Sequence, residues 1–471
     1  MSKKTVDSFL MTDSGNAELI AAKFRDRLRF DHRRRRWLIW TNNRWVEDCD
    51  GEIFRLAKAA ARDRLANATR MKDDDDARKG RVQWALQSES RYRLQAALDL
   101  AKCTTPISDV GENWDADRFL LGVRNGLVDL RSGQLRLTRP EDRVTLYSKV
   151  LFDPAAACPR FETFLSELFL GDAEMIAFIQ RAVGYCLTGA VTEQCLFLCY
   201  GQGENGKSTF LETIRSILGD YAHDLPFSAF EFAGRSAISN DLAGLVSKRF
   251  VTAAETNENV RLNEGRVKAL TGGDRCTARF LYGEYFSFDP TAKFWLAFNH
   301  KPQVTDDSHG FWRRVRLVPF LARFSGSECD KGILASLKAE ASGILAWAIK
   351  GCLLWQQQGL GLPHSIELAT KAYREESDPL AEFLDERYET CADAFVESSL
   401  FRRDYEQWAT ENGDKPLNNR ALSNRLRARG FVNDRTGHNR VRGWKGLRPK
   451  TVSPATCECA DARTDADAKI Q

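Results

Sequence analysis

Apolar positions along this chain change period from region to region, and the changes mark its elements. Cys195 to Tyr200 is an unbroken apolar and aromatic run, which predicts a buried strand. From Thr209 to Leu218 the apolar residues fall at Phe210, Leu211, Ile214, Ile217 and Leu218, the spacing of one helical face. Lys248–Glu255 and Lys293–Phe298 predict two further apolar strands, and Phe311–Phe320 another with arginines at its start. Between these, Leu262–Thr271 predicts a helix. Arg275–Phe288 alternates around Tyr282-Gly283-Glu284 as a β-hairpin does. The pattern is that of an α/β core.

The flanking regions divide by the same criterion. Residues 1–110 form a basic, mixed region in which Trp37–Trp40 and Arg44–Val46 predict a small hairpin. Just ahead of it, Arg33–Arg36 is a run suited either to a phosphate backbone or to a solvated edge. Asp73–Asp76 reads as a solvated linker, because adjacent carboxylates do not converge on a cation without a folded loop. Residues 111–190 predict a helical domain, with strands around Asn125-Gly126 and Ser132-Gly133 and a helix break at Gly171-Asp172. The core occupies 191–325, and 326–377 is a helical segment with a packing stripe through Ile344, Leu345, Ala348 and Ile349. A small basic domain over 378–450 precedes a polar tail at 451–471, expected to be disordered.

Composition narrows the classes. The 471 residues carry 43% hydrophobic residues and a net charge of +4, so a nucleic-acid surface must arise from local clustering. Mean hydropathy is −0.42, and no apolar run reaches the roughly 20 residues that span a bilayer. The chain is expected to be cytoplasmic in a bacterial host and to have no membrane partner. Twelve cysteines without a CxxC pair suit a reducing compartment without disulfides. Cys195 and Cys199 belong to the core strand, and Cys457 and Cys459 to the tail.

Chemistry concentrates after the first core strand. Gly201-Gln202-Gly203-Glu204-Asn205-Gly206-Lys207-Ser208 follows that strand and opens the helix that begins near Thr209. Strand, glycine loop and helix together aim successive backbone N–H groups and a helix N-terminus at a triphosphate. Lys207 would neutralise the β- and γ-phosphates, and the Ser208 hydroxyl would hold Mg²⁺. ATP with Mg²⁺ is the expected ligand pair. Glu255, 48 residues beyond Lys207, ends the next strand and suits either metal binding or activation of water, with Glu258 as an accessory. Asn299 ends the strand after that, where a polar side chain can align water beside a γ-phosphate. Arg313 and Arg314 open the last strand, and one of them is expected to reach a neighbouring subunit's nucleotide.

Together these elements resemble the superfamily 3 helicases, hexameric members of the AAA+ class. More closely, Lys268–Asp274, Ala278-Arg279, Trp312-Arg313-Arg314 and Val318-Pro319-Phe320 look like the phage and plasmid primase–helicase family related to poxvirus D5-type NTPases. Arg124–Leu130, Pro140–Arg143, Gly184-Tyr185 and Thr188-Gly189 resemble that family's helical pre-motor domain. The resemblance implies an AAA+ phosphate-loop core, a hexameric ring and a place in replication of a phage, plasmid or other mobile element. Arg314 is the preferred finger because it lies nearest to where the superfamily places one. Residues 1–110 offer neither a metal-carboxylate triad nor a zinc ribbon, so any primase is expected on a separate chain.

Nucleic-acid contacts are expected at two places. The hairpin mixes Arg275 and Arg279 with aromatic residues, and Lys268 lies on the preceding helix; cations meet phosphates while rings stack on bases. In the C-terminal domain, 395–409 and 418–429 predict helices, and Phe431-Val432 with Arg440–Trp444 a wing. From Lys415 to Lys450 there are eleven Lys and Arg against one acid. Arg425, Arg427, Arg429, Arg440 and Arg442 are the expected contacts of this winged helix. The expected function is an ATP-dependent helicase acting on single-stranded and forked DNA. An ATP-regulated origin-binding switch and a phosphate-loop kinase are the alternatives.

Overall fold

Five parallel strands organise the centre of the molecule, in the spatial order Val315–Pro319, Leu196–Tyr200, Lys293–Phe298, Phe250–Ala254, Ala222–Asp224. The computed structural model describes residues 6–71, 75–232, 239–255, 260–279, 284–325, 330–412, 416–436 and 440–450. The two central strands are almost wholly apolar because both of their faces are covered, as parallel sheets require. Phe197 stacks on Trp295 with centroids 4.2 Å apart, and Phe210 of helix Lys207–Leu218 meets the same indole at 5.9 Å.

That core runs on without a break where the sequence suggests domain borders near 190 and 325. Helices Pro159–Leu168, Ala173–Leu187 and Ala341–Gln358 all pack into it. Glycines explain the closeness of the last two. A Cβ on Gly184 would stand 2.1 Å from Cys352 N, and one on Gly351 would stand 2.1 Å from Gln180 O. The helices therefore touch backbone to backbone. Residues 111–190 are also mixed rather than helical throughout, since Leu120–Val123, Gly126–Asp129 and Gln134–Arg136 form an antiparallel sheet.

Two buried cations close the carboxyl end of helix Ala173–Leu187. Lys293 Nζ donates to the carbonyls of Thr188, Ala190 and Thr291, and Arg249 donates to those of Leu187 and Leu120. Positive charge at a helix carboxyl end is favourable, and the unmade carbonyl bonds would be costly. Burial draws the Lys293 ammonium down to about 7.

The N-terminal region has its own core around Leu28, Phe30, Leu56 and Leu98. Its sheet has the order Trp45–Glu47, Arg36–Trp40, Leu28–Asp31, Ser108–Asp109, so the expected hairpin is present inside a larger sheet. Asp31 is fully buried and holds the arginine turn, accepting from Arg34 N at 3.1 Å and Arg34 Nη1 at 3.0 Å.

Contacts divide the chain into two units, the second comprising 305–307 and 371–471. Its described part contains helices Pro379–Arg387, Ser398–Glu411 and Asn419–Ala428. Its three-stranded antiparallel sheet has the order Tyr388–Glu397, Val441–Pro449, Val432–Thr436. Phe395–Glu397, expected to open a helix, instead end the long strand; Val396 pairs with Trp444 in the sheet. Residues 451–471, Glu258 and the tip Phe280–Gly283 lie outside the described residues.

Candidate functional site

The glycine loop leaves the sheet where strand order reverses, between strands that are not consecutive in the chain. This is the position at which open α/β sheets bind ligands. Gly201 is required by space, and Gly206 by space and by backbone conformation. A Cβ on Gly201 would stand 2.3 Å from Phe320 O. Gly206 has φ +74° and sits against Leu168, where a Cβ would stand 2.7 Å from Cδ1. Phe324 N donates to Glu204 O at 2.8 Å, tying the loop's far side to the segment after the last strand. Gln202, Gly203, Glu204 and Ser208 are exposed, Thr209 is partly so, and Asn205 is buried.

Lys207 is buried at the start of its helix, and its Nζ donates to Gly201 O and, at 3.1 Å, to Asn299 Oδ1. Burial draws its ammonium below the usual lysine range. Glu255 follows Ala254, the last residue of its strand, and its backbone N–H donates to Ala297 O at 2.9 Å. Burial pushes the Glu255 carboxyl above the ordinary glutamate range, while the backbone amides of His300 and Asn299 pull it back. Parallel register sets Ala254 beside Ala297 and Phe298 beside Tyr200, so Lys207, Glu255 and Asn299 share one edge of the sheet.

Two buried atoms without a hydrogen-bond partner belong to the loop and to the strand end beside it. Glu255 Oε1 and Asn205 Nδ2 both lack one. A buried polar atom left bare costs about 1–3 kcal/mol, so each of the two is a candidate for a ligand contact.

Arg313 and Arg314 lie at the opposite edge. Leu196 N, at the start of its strand, donates to Arg314 O at 2.8 Å, whereas the loop follows that strand's last residue. Five strand residues at about 3.3 Å each separate the two edges by about 17 Å, which an arginine side chain does not span. Arg313 Nη2 donates to Gln194 Oε1 at 2.7 Å and is exposed. Arg314 donates to Gly310 O and its buried Nε has no partner. Burial and the neighbouring Arg313 charge draw its guanidinium below the usual arginine range.

The hairpin consists of Cys276–Arg279 and Tyr285–Phe288, paired in antiparallel register. Arg279 lies over its cross-strand partner Tyr285, 5.0 Å from the ring centroid, and both are exposed. Arg275 pairs with Asp289 at 3.4 Å. Lys268, on helix Glu264–Thr271, donates to Ser308 Oγ at 3.0 Å.

In the second unit, the structure corrects the expectation for two arginines. Arg425 is only 5% exposed and is held by Asp378 at 3.3 Å and Asp307 at 3.6 Å; Arg429 also pairs with Asp378. Both face inward because Asp378 needs counter-charge. Arg427, Arg440 and Arg442 are exposed. Among the described residues, no group of three or more His, Cys, Asp or Glu could hold a metal, and no helix is long and apolar enough to cross a membrane.

Sequence reasoning missed Arg118 and Trp114, which line one groove with hairpin residues, because no local pattern joins residues so far apart in the chain.

Fold and site thus define a mixed α/β protein whose glycine loop, lysine, glutamate and asparagine meet at the carboxyl edge of a parallel sheet. Parts of the chain are similar to proteins of the D5-type primase–helicase kind. Residues 17–170 match the D5 N-terminal-like domain, and 199–314 match a family of unknown function, DUF5906. A protein of Acanthamoeba polyphaga mimivirus, named as a putative helicase, is 28% identical over 58% of this chain and 31% of its own length. One of African swine fever virus, named as a putative primase, is 24% identical over 58% of this chain and 31% of its own. The chain thus spans about a third of the length of these relatives. Among solved structures, the apo NrS-1 C-terminal region is similar at 12% identity over 63% of this chain and 77% of that one, with a TM-score of 0.45.

Proposed function

We propose that the chain is an ATP-dependent DNA helicase of the superfamily 3, AAA+ type, built to work as a ring of identical subunits. One observation carries this reading. Lys207, Glu255 and Asn299 meet at one edge of the sheet, while the paired arginines stand at the other, too far to serve the same chain's nucleotide. On this reading a second copy would supply the arginine.

ATP fits the site because the loop is open at Gly203, where a Cβ would meet nothing within 4 Å, and because Asn205 Nδ2 is an unused donor. Binding of phosphates would draw Lys207 from Gly201 O and Asn299 towards the anion. The Ser208 hydroxyl and the bare Glu255 Oε1 would hold Mg²⁺, which when bound neutralises charge developing on the phosphates. Asn299, released by Lys207, would orient the attacking water. Arg314 of a neighbouring copy would steady the developing charge, an effect of about 10³-fold or more. Arg279 and Tyr285 would grip the DNA strand, with Arg275 and Lys268 nearby, and Arg427, Arg440 and Arg442 would attract duplex through a winged-helix arrangement in the second unit. A separate primase is the expected partner.

Forked-DNA unwinding with purified protein, ATP and Mg²⁺ tests the proposal. Unwinding with DNA-stimulated hydrolysis is expected. DNA binding and nucleotide-dependent assembly without strand separation would instead make the chain an origin-binding switch.

A further inference from the structure

We propose that the groove between the arginine turn of the N-terminal sheet and the hairpin binds single-stranded DNA, forming a second contact surface beyond the hairpin itself. The inference rests on the reading of this chain as one that moves along such a strand. The groove has a volume of about 1130 Å³ and is open to solvent. Arg33, Arg36, Trp114, Arg118, Arg275 and Tyr285 are among the residues that line it. Small-molecule sites usually enclose their ligand in about 300–1,000 Å³, so an open groove of this size suits a polymer better.

The chemistry of the unused groups selects the polymer. Among the described residues, Arg33 and Arg118 have no ion-pair or side-chain hydrogen-bond partner. Trp114 is 7% exposed, and its buried indole Nε1–H has no acceptor. The uncommitted cations of the lining, Arg33 and Arg118, suit a chain of phosphates, with the exposed carboxylates of Glu112 and Glu284 set against them. Tyr285 is 65% exposed, and its ring, with Arg279 over one side, leaves area on which a base can stack.

Carboxylates line the groove as well. Glu47 and Asp289 are neutralised by Arg36 and Arg275, and Asp115 accepts from Thr145 and from Leu146 N. Glu112 and Glu284 are free but exposed. Charge is near balance, so stacking has to share the hold with charge, and the strand's affinity should depend only moderately on salt.

The test is fluorescence anisotropy of a labelled oligo-dT with the full chain and a non-hydrolysable ATP analogue, across salt concentrations. Arg33→Ala with Arg118→Ala should weaken binding about tenfold and reduce the salt slope by about 1.4, the loss of two single-strand phosphate contacts. Hydrolysis without DNA should not change, and Lys at both positions should restore most of the affinity. Unchanged affinity in the double alanine variant, with Arg279→Ala still weakening binding, would overturn this inference and leave the helicase reading intact. Failure of the unaltered protein to bind oligo-dT would sink both. A lowered melting temperature in the double alanine variant would move the question to the double lysine variant, whose failure to restore binding would also overturn it.

Discussion

Lys207 Nζ lies 3.1 Å from Asn299 Oδ1, so the cation of the glycine loop and the amide at the tip of a strand 92 residues later are hydrogen-bonded to each other. Each satisfies the other. Lys207→Ala is expected to abolish measurable ATP binding by calorimetry. Asn299→Ala should leave ATP affinity within a few-fold and lower kcat by about 10²–10³, the usual cost of one transition-state hydrogen-bond donor or orienting group. Equal losses of affinity in both variants would contradict this division of labour.

Glu255 carries a bare, buried Oε1, and the backbone amide of Asn299 reaches its carboxylate. Glu255→Gln keeps its size and removes its charge. The variant should bind ATP and assemble, but turn over at least about 100-fold more slowly in a coupled phosphate-release assay. Retention of full turnover would remove Glu255 from the mechanism.

Arg314 stands at the sheet edge opposite the glycine loop. Lys207→Ala and Arg314→Ala should each be inactive alone, and mixing them under subunit exchange should recover part of the hydrolysis. Repeating the mixture with Arg313→Ala decides which arginine acts. No recovery with either would argue against an arginine supplied across an interface.

Gly201 and Gly203 differ in what a methyl group would meet. Gly201→Ala forces a Cβ to within 2.3 Å of Phe320 O, whereas Gly203→Ala meets nothing within 4 Å. Overpacking of this kind costs about 1–3 kcal/mol, so chemical denaturation should show Gly201→Ala destabilised and Gly203→Ala unchanged. Equal stability of the two would mean that the loop is not held against Phe320.

Lys293 titrates near 7 in the fold against 10.5 in a free chain, because burial disfavours its charge. Between these values the unfolded chain binds the extra proton, so stability should rise with pH above about 7. Buried thiols act the other way: Cys195 is pushed up to about 12, so stability falls above the ordinary thiol value of 9.0. The lysine's signature is the rise between about 7 and 9, read as urea midpoints, and it should vanish in Lys293→Met. A rise that persists in that variant would assign it elsewhere.

Much of the core was legible because its signals are local. The Cys195–Tyr200 run, the glycine loop, the helical spacing after it and the ends of two later strands can all be read within a few residues. The hairpin was legible for the same reason, since period-2 alternation around a turn is a neighbour-to-neighbour property. The borders drawn near 190 and 325 were not borders of the core, because the glycine contacts that fuse the helices join residues about 170 positions apart. Arg425 failed as a surface residue for a similar reason: its neighbours Asp307 and Asp378 lie far from it in sequence.

The residue order by itself determined which groups could bind phosphate and where strands and helices begin, because backbone preferences and apolar periodicity act over short spans. Only the tertiary structure decided which of those groups meet. Parallel register brought Lys207, Glu255 and Asn299 to one edge and left Arg314 at the other. Tertiary contacts also turned Arg425 inward and brought Arg33 and Arg118 to one groove with the hairpin residues. Burial and counter-charge are properties of neighbours in space, which a linear pattern does not contain.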